Sequence, residues 1–334
     1  MTTTDSPPEA QPGRLKPPAR RRNHGDTERG FSRVFRWITT GSGAFLLLVL
    51  AAVAVFLIAR GLPALMASPE ELSAKGGLPA GMNSLWDLVG PLVFGTLLAA
   101  AMALLLATPV AIGIALFISH YAPRRAASVI GYVIDLLAAI PSVVFGLWGA
   151  RTLAPIISDV WVWIGGVLDF LPFWTVNVTN TGRSLATASV VLAVMVLPII
   201  TAVSREVFLQ TPTLHEEAAL ALGATRWEMI RTAVLPFGRS GVISAAMLGL
   251  GRALGETMAV LMILSPGILY SFQIFDSGQQ QTIAAFIASR FAEASGLAVN
   301  VLIATGLALF VITMVVNMGA RAIVARRKEF SGAN

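Results

Sequence analysis

The sequence contains no cysteine, and only 13% of its 334 residues are charged. The absence of cysteine excludes disulfides, thiolate metal sites and cysteine catalysis, and it leaves the redox compartment undetermined. A soluble globular protein usually carries about 25% charged residues. Hydrophobic residues make up 55% of this chain, and they recur in runs near the roughly 20 residues that cross a bilayer as a helix. These features predict a polytopic, all-α membrane protein.

Other chemical patterns are also missing. There is no G-x-x-x-x-G-K-[ST] phosphate loop, so we expect no ATP binding of that kind and no enzymatic activity from this chain alone. The three histidines, His24, His120 and His215, lie far apart and lack metal-ligand spacing. We therefore predict no catalytic residues, no metal site and no cofactor. The basic residues lie between apolar runs, where they set membrane topology, so the net charge of +6 does not indicate nucleic acid.

Six apolar segments are typical of membrane-crossing helices. With six spans and a cytoplasmic N-terminus, the inside segments hold 18 basic residues and the outside segments hold 5, as the positive-inside rule requires. Splitting the long second segment at Pro109 would remove this bias, so we predict one long helix there, bent near Pro109. The segments are about 38–59, 88–118, 127–149, 185–204, 241–264 and 297–320.

Both termini are then predicted to be cytoplasmic. Residues 1–37 form a basic tail that is largely disordered by composition and lacks the features of a signal peptide, and residues 321–334 form a second basic tail. On the outside, residues 151–184 are rich in aromatic side chains, which is typical of interface anchors; a docking surface for an external partner is the alternative. Residues 279–294 predict a further outside helix.

The largest cytoplasmic loop between spans, residues 205–240, predicts two short helices. Residues 215–222 are rich in strong helix formers. Gly223 permits a turn, and Thr225 is a suitable cap for a second helix over 226–234. Leu235-Pro236 is expected to end that helix, because the residue before a proline disfavours helical geometry. The loop either docks a cytoplasmic partner or lies on the lipid headgroups.

A resemblance favours the docking interpretation. The run Glu217-Ala218-Ala219, followed by Gly223 and Leu235-Pro236, resembles the EAA loop of ABC-importer permeases, with Ala233 as a mild departure from the family pattern. The resemblance implies a six-span fold of the type I importer kind over residues 38–320, coupled to an ATPase on a separate chain. The residues that it assigns to ATPase coupling are Glu217, Ala218, Ala219, Gly223, Arg226, Trp227, Leu235 and Pro236.

Two further motifs resemble those of phosphate-importer permeases. Residues 251–257, Gly-Arg-Ala-Leu-Gly-Glu-Thr, match R-A-x-G-E-T, and residues 139–146 match A-x-P-S-x-x-x-G. Phe94-Gly95-Thr96 also fits, and the flanking residues are similar to the PstC type rather than the PstA type. The resemblance implies an ATP-driven importer with a PstA-like permease, two ATPase copies, an extracytoplasmic phosphate-binding protein, phosphate as substrate and lipid around the spans.

The resemblance also implies a substrate path formed by Arg252, Glu256, Thr257 and Ser142. Arg252 and Glu256 are four residues apart, so on a continuous helix they share one face, and charges inside a membrane are costly. In one hypothesis Arg252 donates to a phosphate oxyanion, while Glu256 partly neutralises it so that the anion can leave. In the other, the two residues form a structural ion pair.

Three rival functions are weaker. A permease for sulfate or molybdate is the nearest, but the R-A-x-G-E-T match argues against it. A self-contained secondary transporter often shows inverted internal repeats, and none is found in this sequence. A membrane-bound enzyme lacks support, because no Ser/His/Asp or metal-ligand constellation is present.

Overall fold

The structure, a computed structural model, describes residues 25–75, 77–79, 81–167 and 181–328. The predicted tails therefore lie partly outside it, as do the aromatic residues Phe170, Phe173 and Trp174. Its elements are helices, broken by π-helical turns at Phe117–Tyr121, Gly149–Leu153 and Ile230–Val234. They are α1 Gly25–Met66, α2 Pro69–Lys75, α3 Leu85–Leu116, α4 Arg124–Ala139, α5 Ser142–Trp148, α6 Ala154–Val167, α7 Leu185–Leu209, α8 Thr213–Ala221, α9 Arg226–Met229, α10 Leu235–Leu254, α11 Met258–Ile263, α12 Ile283–Arg290 and α13 Leu297–Lys328.

Within these described residues, six helices are long and apolar enough to cross a membrane, which confirms the predicted all-α, six-span fold. The long second segment is one helix that continues through Pro109, as predicted. Helix α1 begins at Gly25, so helical structure extends into the residues assigned to the tail. The six candidates are Val34–Met66, Leu85–Tyr121, Ser142–Val167, Leu185–Leu209, Arg226–Leu254 and Leu297–Ala322.

Helix α4, which precedes the third candidate crossing, and α5, which begins it, run antiparallel to α7. Near one end, a side chain at Gly131 would lie 3.0 Å from the Arg205 guanidinium, and further along one at Gly149 would lie 2.8 Å from Val191. At the other end, Gly182 packs against the Ala154 backbone. These contacts with α7 extend over residues 131–154. The third candidate crossing, Ser142–Val167, shares only residues 142–149 with the predicted 127–149 segment.

Leu235-Pro236 does not end a helix, contrary to the prediction. The π-helical turn Ile230–Val234 joins α9 to α10, with Pro236 in the first turn of α10. Proline lacks an N–H donor and its ring crowds the preceding turn of a helix. A π-helical turn is wider than an α-helical one, so the chain stays helical through the proline. The helix that contains the fifth candidate crossing thus begins at Arg226, with no helix boundary near residue 241.

Helix α3 connects three apolar clusters along its length. Its small residues in the second cluster recur at positions 99, 103, 107 and 111, all alanine and all buried. That four-residue spacing puts them on one face, where small side chains let helices approach closely. Members from α3 are Leu85, Leu88, Val89 and Leu92 in the first cluster, Ala99, Ala100, Ala103, Ala107 and Ala111 in the second, and Ala115 and Leu116 in the third.

The packing of α5 against α11 gives a stability prediction. A side chain at Gly146 would meet the Ala259 Cα at 2.7 Å, whereas one at Gly166, also in a helix, meets nothing within 4 Å. We expect Gly146→Val to lower the free energy of unfolding by about 1–3 kcal/mol through overpacking, and Gly166→Val to have much less effect. Thermal unfolding of the purified permease in detergent measures both. Equal midpoints for the two variants would contradict this packing.

Candidate functional site

The helix that contains the fifth candidate crossing, Arg226–Leu254, ends at the level of the middle of α7. Helix α10 ends at Leu254 and α11 begins at Met258. Before the break, Gly249 of α10 packs against Ile200 of α7. After the break, Ile263 of α11 and Val191 of α7 both lie against Gly149. The break therefore lies beside α7 between residues 191 and 200, well within that crossing. Irregular backbone at such depth is tolerated only in protein or at a water-filled cavity.

Glu256 stabilises this break. Its side chain is 8% exposed, and its Oε1 accepts a hydrogen bond of 3.0 Å from the Ala259 N–H in the first turn of α11. The predicted sharing of one helix face by Arg252 and Glu256 is wrong, because α10 ends between them at Leu254. No ion pair joins these two residues, both of which the structure describes. Instead of forming an ion pair with Arg252, Glu256 caps the start of α11.

Arg252 lies in the last turn of α10 and is half-buried. Its Nε atom is buried and has no hydrogen-bond partner within the described part of the chain. An unsatisfied buried donor costs about 1–3 kcal/mol, and more when it is charged. The unpaired Nε makes this guanidinium suited to receive an anionic partner, since arginine presents five donors in a planar fork.

Ser142 lies on the helix that packs against α11. It is the first residue of α5, whose cap residue, Pro141, makes no side-chain hydrogen bond to the helix. Gly146, one turn later on the same helix face, packs against Ala259 of α11. The two sequence motifs, separated by about a hundred residues, are therefore brought together.

A cavity of about 490 Å³ opens at the break. Thr257 and Gly255 line it on one side, and Thr257 is half-buried. The other walls come from α12 and α13 and are mostly apolar: Ala284, Ile287, Ala288, Phe291, Ala292 and Leu309. Of the predicted path residues, Thr257 thus lines this cavity. Glu256 is buried beside it and caps α11, and Arg252 and Ser142 lie on the helices α10 and α5.

The third motif, Phe94-Gly95-Thr96, fixes α12. The Thr96 hydroxyl accepts a 3.0 Å hydrogen bond from the Ile283 N–H and donates to the Leu92 carbonyl at 2.7 Å. A side chain at Gly95 would clash with the Gln281 carbonyl. Glycine is required here by this close approach. The motif therefore positions the start of α12, one wall of the cavity, and helix α12 itself confirms the helix predicted within residues 279–294.

Arg183 holds the other end of α11, and sequence reasoning missed it. Its Nη2 donates to the Met262 carbonyl at 2.6 Å and its Nε to the Ile263 carbonyl at 3.4 Å. The last carbonyls of a helix have no intrahelical partner, and a cation is favourable there. Only the position of Arg183 just before α7 signals the role, since its partners lie about 80 residues away in sequence.

The loop between α7 and α10 forms the two predicted helices, α8 and α9. Gly223 has a φ of +85°, a left-handed conformation that glycine adopts without strain. Thr225 caps α9 as predicted. Its hydroxyl accepts from the Glu228 N–H, while the Glu228 carboxylate accepts from the Thr225 N–H at 2.7 Å. This reciprocal arrangement is a capping box.

Most of the residues assigned to coupling are accessible. Trp227 is 55% exposed and the neighbouring Leu222 is 89% exposed. Exposed apolar groups rimmed by polar residues mark interaction surfaces. Glu217, Ala218, Gly223, Arg226 and Pro236 are also exposed, while Ala219 and Leu235 are half-buried.

Six crossings, a broken fifth helix and an exposed helical loop define a membrane subunit of a transport system. The family model described as "Binding-protein-dependent transport system inner membrane component" matches residues 107–329. The chain belongs to this family. Its fold also matches that of a bacterial alginate ABC transporter solved in complex with an alginate pentasaccharide-bound periplasmic protein, with a TM-score of 0.54 and 17% identity over 89% of this chain and 97% of the other.

Within that family, the resemblance to phosphate permeases of the PstC type is confirmed. The chain is 45% identical over 299 residues to the "Phosphate transport system permease protein PstC 2" of Mycobacterium bovis, covering 87% of this chain and 91% of the relative. It is 48% identical over 280 residues to the PstC protein of Mycobacterium leprae, covering 82% and 87%. This chain is therefore the permease component of an ABC importer.

The cap at the break yields a prediction that separates geometry from charge. Glu256→Gln keeps a side-chain oxygen that can accept from the Ala259 N–H, whereas Glu256→Ala leaves that donor unpaired inside the crossing. We expect Glu256→Ala to lower the free energy of unfolding by about 1–3 kcal/mol and Glu256→Gln to retain most of the stability. Thermal unfolding in detergent is the measurement. An equal loss in both variants would show that the charge of Glu256, and not its cap, supports the fold.

Proposed function

We propose that this chain forms half of the translocation path of an ATP-driven importer of inorganic phosphate. The observation that carries the proposal is Arg252, a cation with a buried, unpartnered Nε beside a broken helix in the membrane. An oxyanion offers the acceptors that this donor lacks, and arginine matches phosphate geometry. The names of the mycobacterial relatives support phosphate as that oxyanion.

Glu256 tunes this site as well as capping α11. Its carboxylate is occupied by the Ala259 N–H, so it holds the backbone of the break without neutralising Arg252 through direct contact. Its negative charge nevertheless lies nearby and disfavours a second anion or a permanently bound one. Phosphate is thereby bound weakly enough to leave. Ser142 at the start of α5 supplies a further hydroxyl donor, while the Thr257 hydroxyl, which lines the cavity, already donates to the Gly255 carbonyl at 3.2 Å.

The remaining parts of the importer are separate chains. The chain contains no nucleotide loop, so two copies of an ATPase subunit supply the energy, and they dock on the α8–α9 loop. A PstA-like permease completes the path, and an extracytoplasmic binding protein delivers phosphate from the opposite side. Both termini and the α8–α9 loop then lie in the cytoplasm, in keeping with the excess of basic residues there.

The mechanism is alternating access. ATP closes the ATPase dimer, the α8–α9 loop moves with it, and the crossings rearrange around the break at residues 255–257. A helix broken within a crossing is a natural pivot, because its two halves are held by separate contacts: α10 by α7, and α11 by Arg183 and Glu256. The cavity then opens alternately to the two sides.

Transport by the reconstituted system tests the proposal against its rivals. Vesicles carry both permeases and the ATPase, with ATP on the ATPase side and binding protein with phosphate on the other. We expect phosphate accumulation with ATP, none with a non-hydrolysable analogue, and no inhibition by a tenfold excess of sulfate or molybdate. Uptake driven by a proton or sodium gradient without ATP would identify a secondary transporter. Strong competition by sulfate or molybdate would identify another oxyanion as substrate.

Arg252 is expected to be essential for the transport step. Arg252→Gln removes the charge and keeps much of the length, so phosphate uptake should fall at least tenfold, about 1.4 kcal/mol, while assembly survives. Arg252→Lys keeps the charge but loses the planar fork and should retain intermediate uptake. Arg239→Gln, an exposed position on the same helix, is the matched control. Co-purification measures assembly beside uptake. Normal uptake by Arg252→Gln would refute a role in the path.

A further inference from the structure

One residue at the end of α3 contacts both helices of the α8–α9 loop. His120 lies in the π-helical turn Phe117–Tyr121, and its side chain is 8% exposed. Its Nε2 lies 3.3 Å from Oε1 of Glu216 on α8. Its Nδ1 lies 2.7 Å from the Ser119 hydroxyl, which also lies 2.8 Å from the Ala115 carbonyl. The imidazole ring is thus fixed on both of its nitrogen atoms.

The second helix of the loop contacts the backbone of the same residue. Arg226, the first residue of α9, donates from Nη1 to the His120 carbonyl at 3.5 Å. Carbonyls in the last turn of a helix receive no hydrogen bond from within the helix, so the His120 carbonyl is free to accept one from Arg226. Side chain and backbone of His120 therefore hold α8 and α9 respectively.

These contacts of His120 with Glu216 and Arg226 are called the His120 joint below. The apolar contacts around it are of a different kind. The third cluster packs Leu116 of α3 with Phe208 of α7 and Ile230 of the π-helical turn before α10. Apolar burial is non-directional, so it resists separation but specifies orientation only through shape. The hydrogen bonds of His120 are directional. They determine how the loop is oriented on the end of α3.

We infer that His120 is a positioning residue for energy coupling, which fastens the α8–α9 loop to α3 so that the two move as one body. This inference rests on the proposed function. Helix α3 runs from this joint through the second cluster to Thr96, which holds the start of α12. Motion of the loop is therefore delivered to a wall of the cavity. Without the His120 joint, the α8–α9 loop slides over the third cluster when the ATPase moves it, and the motion does not reach α3.

Coupling, rather than stability, is the quantity that responds. Glu216 is 24% exposed, so water can solvate its carboxylate when His120 is changed, and the third cluster remains to hold the loop. Loss of the contact therefore leaves assembly intact. A residue with only a structural role would instead change the yield of the complex and leave the ATP requirement of the assembled fraction unaltered.

The test compares His120→Gln, Glu216→Gln and the double variant in vesicles that contain the complete transporter. The measured quantity is ATP hydrolysed per phosphate imported, with complex yield by co-purification. We expect each single variant to raise the ratio at least threefold at unchanged yield, and the double variant to be no worse than either. The control is Glu293→Gln, which changes an exposed glutamate outside the α8–α9 loop.

A normal ratio in both single variants would overturn the inference, as would a ratio that rises only with loss of complex. Additive effects in the double variant would also overturn it, because the two residues would then act separately. Failure of the proposed function is distinguishable, since it appears in the unmodified complex as absence of ATP-dependent phosphate uptake before any variant is compared.

A reversible bridge provides an independent measurement, because the chain contains no native cysteine. The paired variant His120→Cys with Glu216→Cys lacks the contact and is expected to be uncoupled. A short bifunctional methanethiosulfonate should join the two thiols and restore a normal ratio, and a reducing agent should remove the restoration. A bridge that arrests transport would show that the contact must open during the cycle. That outcome, or a bridge without any effect, would overturn the inference.

Discussion

A backbone that is broken inside a membrane must have its polar groups satisfied by the protein, because hydrocarbon offers them no partners. This constraint determines the region around residues 255–257. Glu256 accepts from the first turn of α11, and Arg183 donates to its last carbonyls. With both ends held, a helix of only six residues remains ordered at depth. The cavity and the position of Arg252 both depend on that short helix staying in place.

Close packing of small residues makes the rest of the arrangement compatible with this break. Buried alanines along α3 and glycines at positions 146, 149 and 249 let four crossings approach closely. Between helices in lipid, such packing replaces the hydrophobic driving force that is absent there. Larger side chains at these positions would separate α5 from α11 and α10 from α7. The break would then lose the walls that exclude lipid from it.

Local signals explain what could be predicted from the sequence. Apolar runs and the distribution of basic residues indicate six spans, and Gly223 with Thr225 indicates the turn and cap between α8 and α9. The break is not predicted when Arg252 and Glu256 are placed on one continuous helix, although Gly255 and Thr257 are residue types that end and restart helices. Arg183 and His120 could not be found in this way, because their partners are about 80 and 96 residues distant.

The π-helical turn Ile230–Val234 has a consequence for how related sequences are compared. A π-helical turn holds one residue more than the α-helical turn that it replaces. Side-chain faces before and after it are therefore out of phase by one position, so a 3.6-residue periodicity read from Trp227 assigns the wrong face to α10. A homologue with a regular helix here would align with a one-residue gap. Such a gap marks a change of helix type, and the crossing itself is uninterrupted.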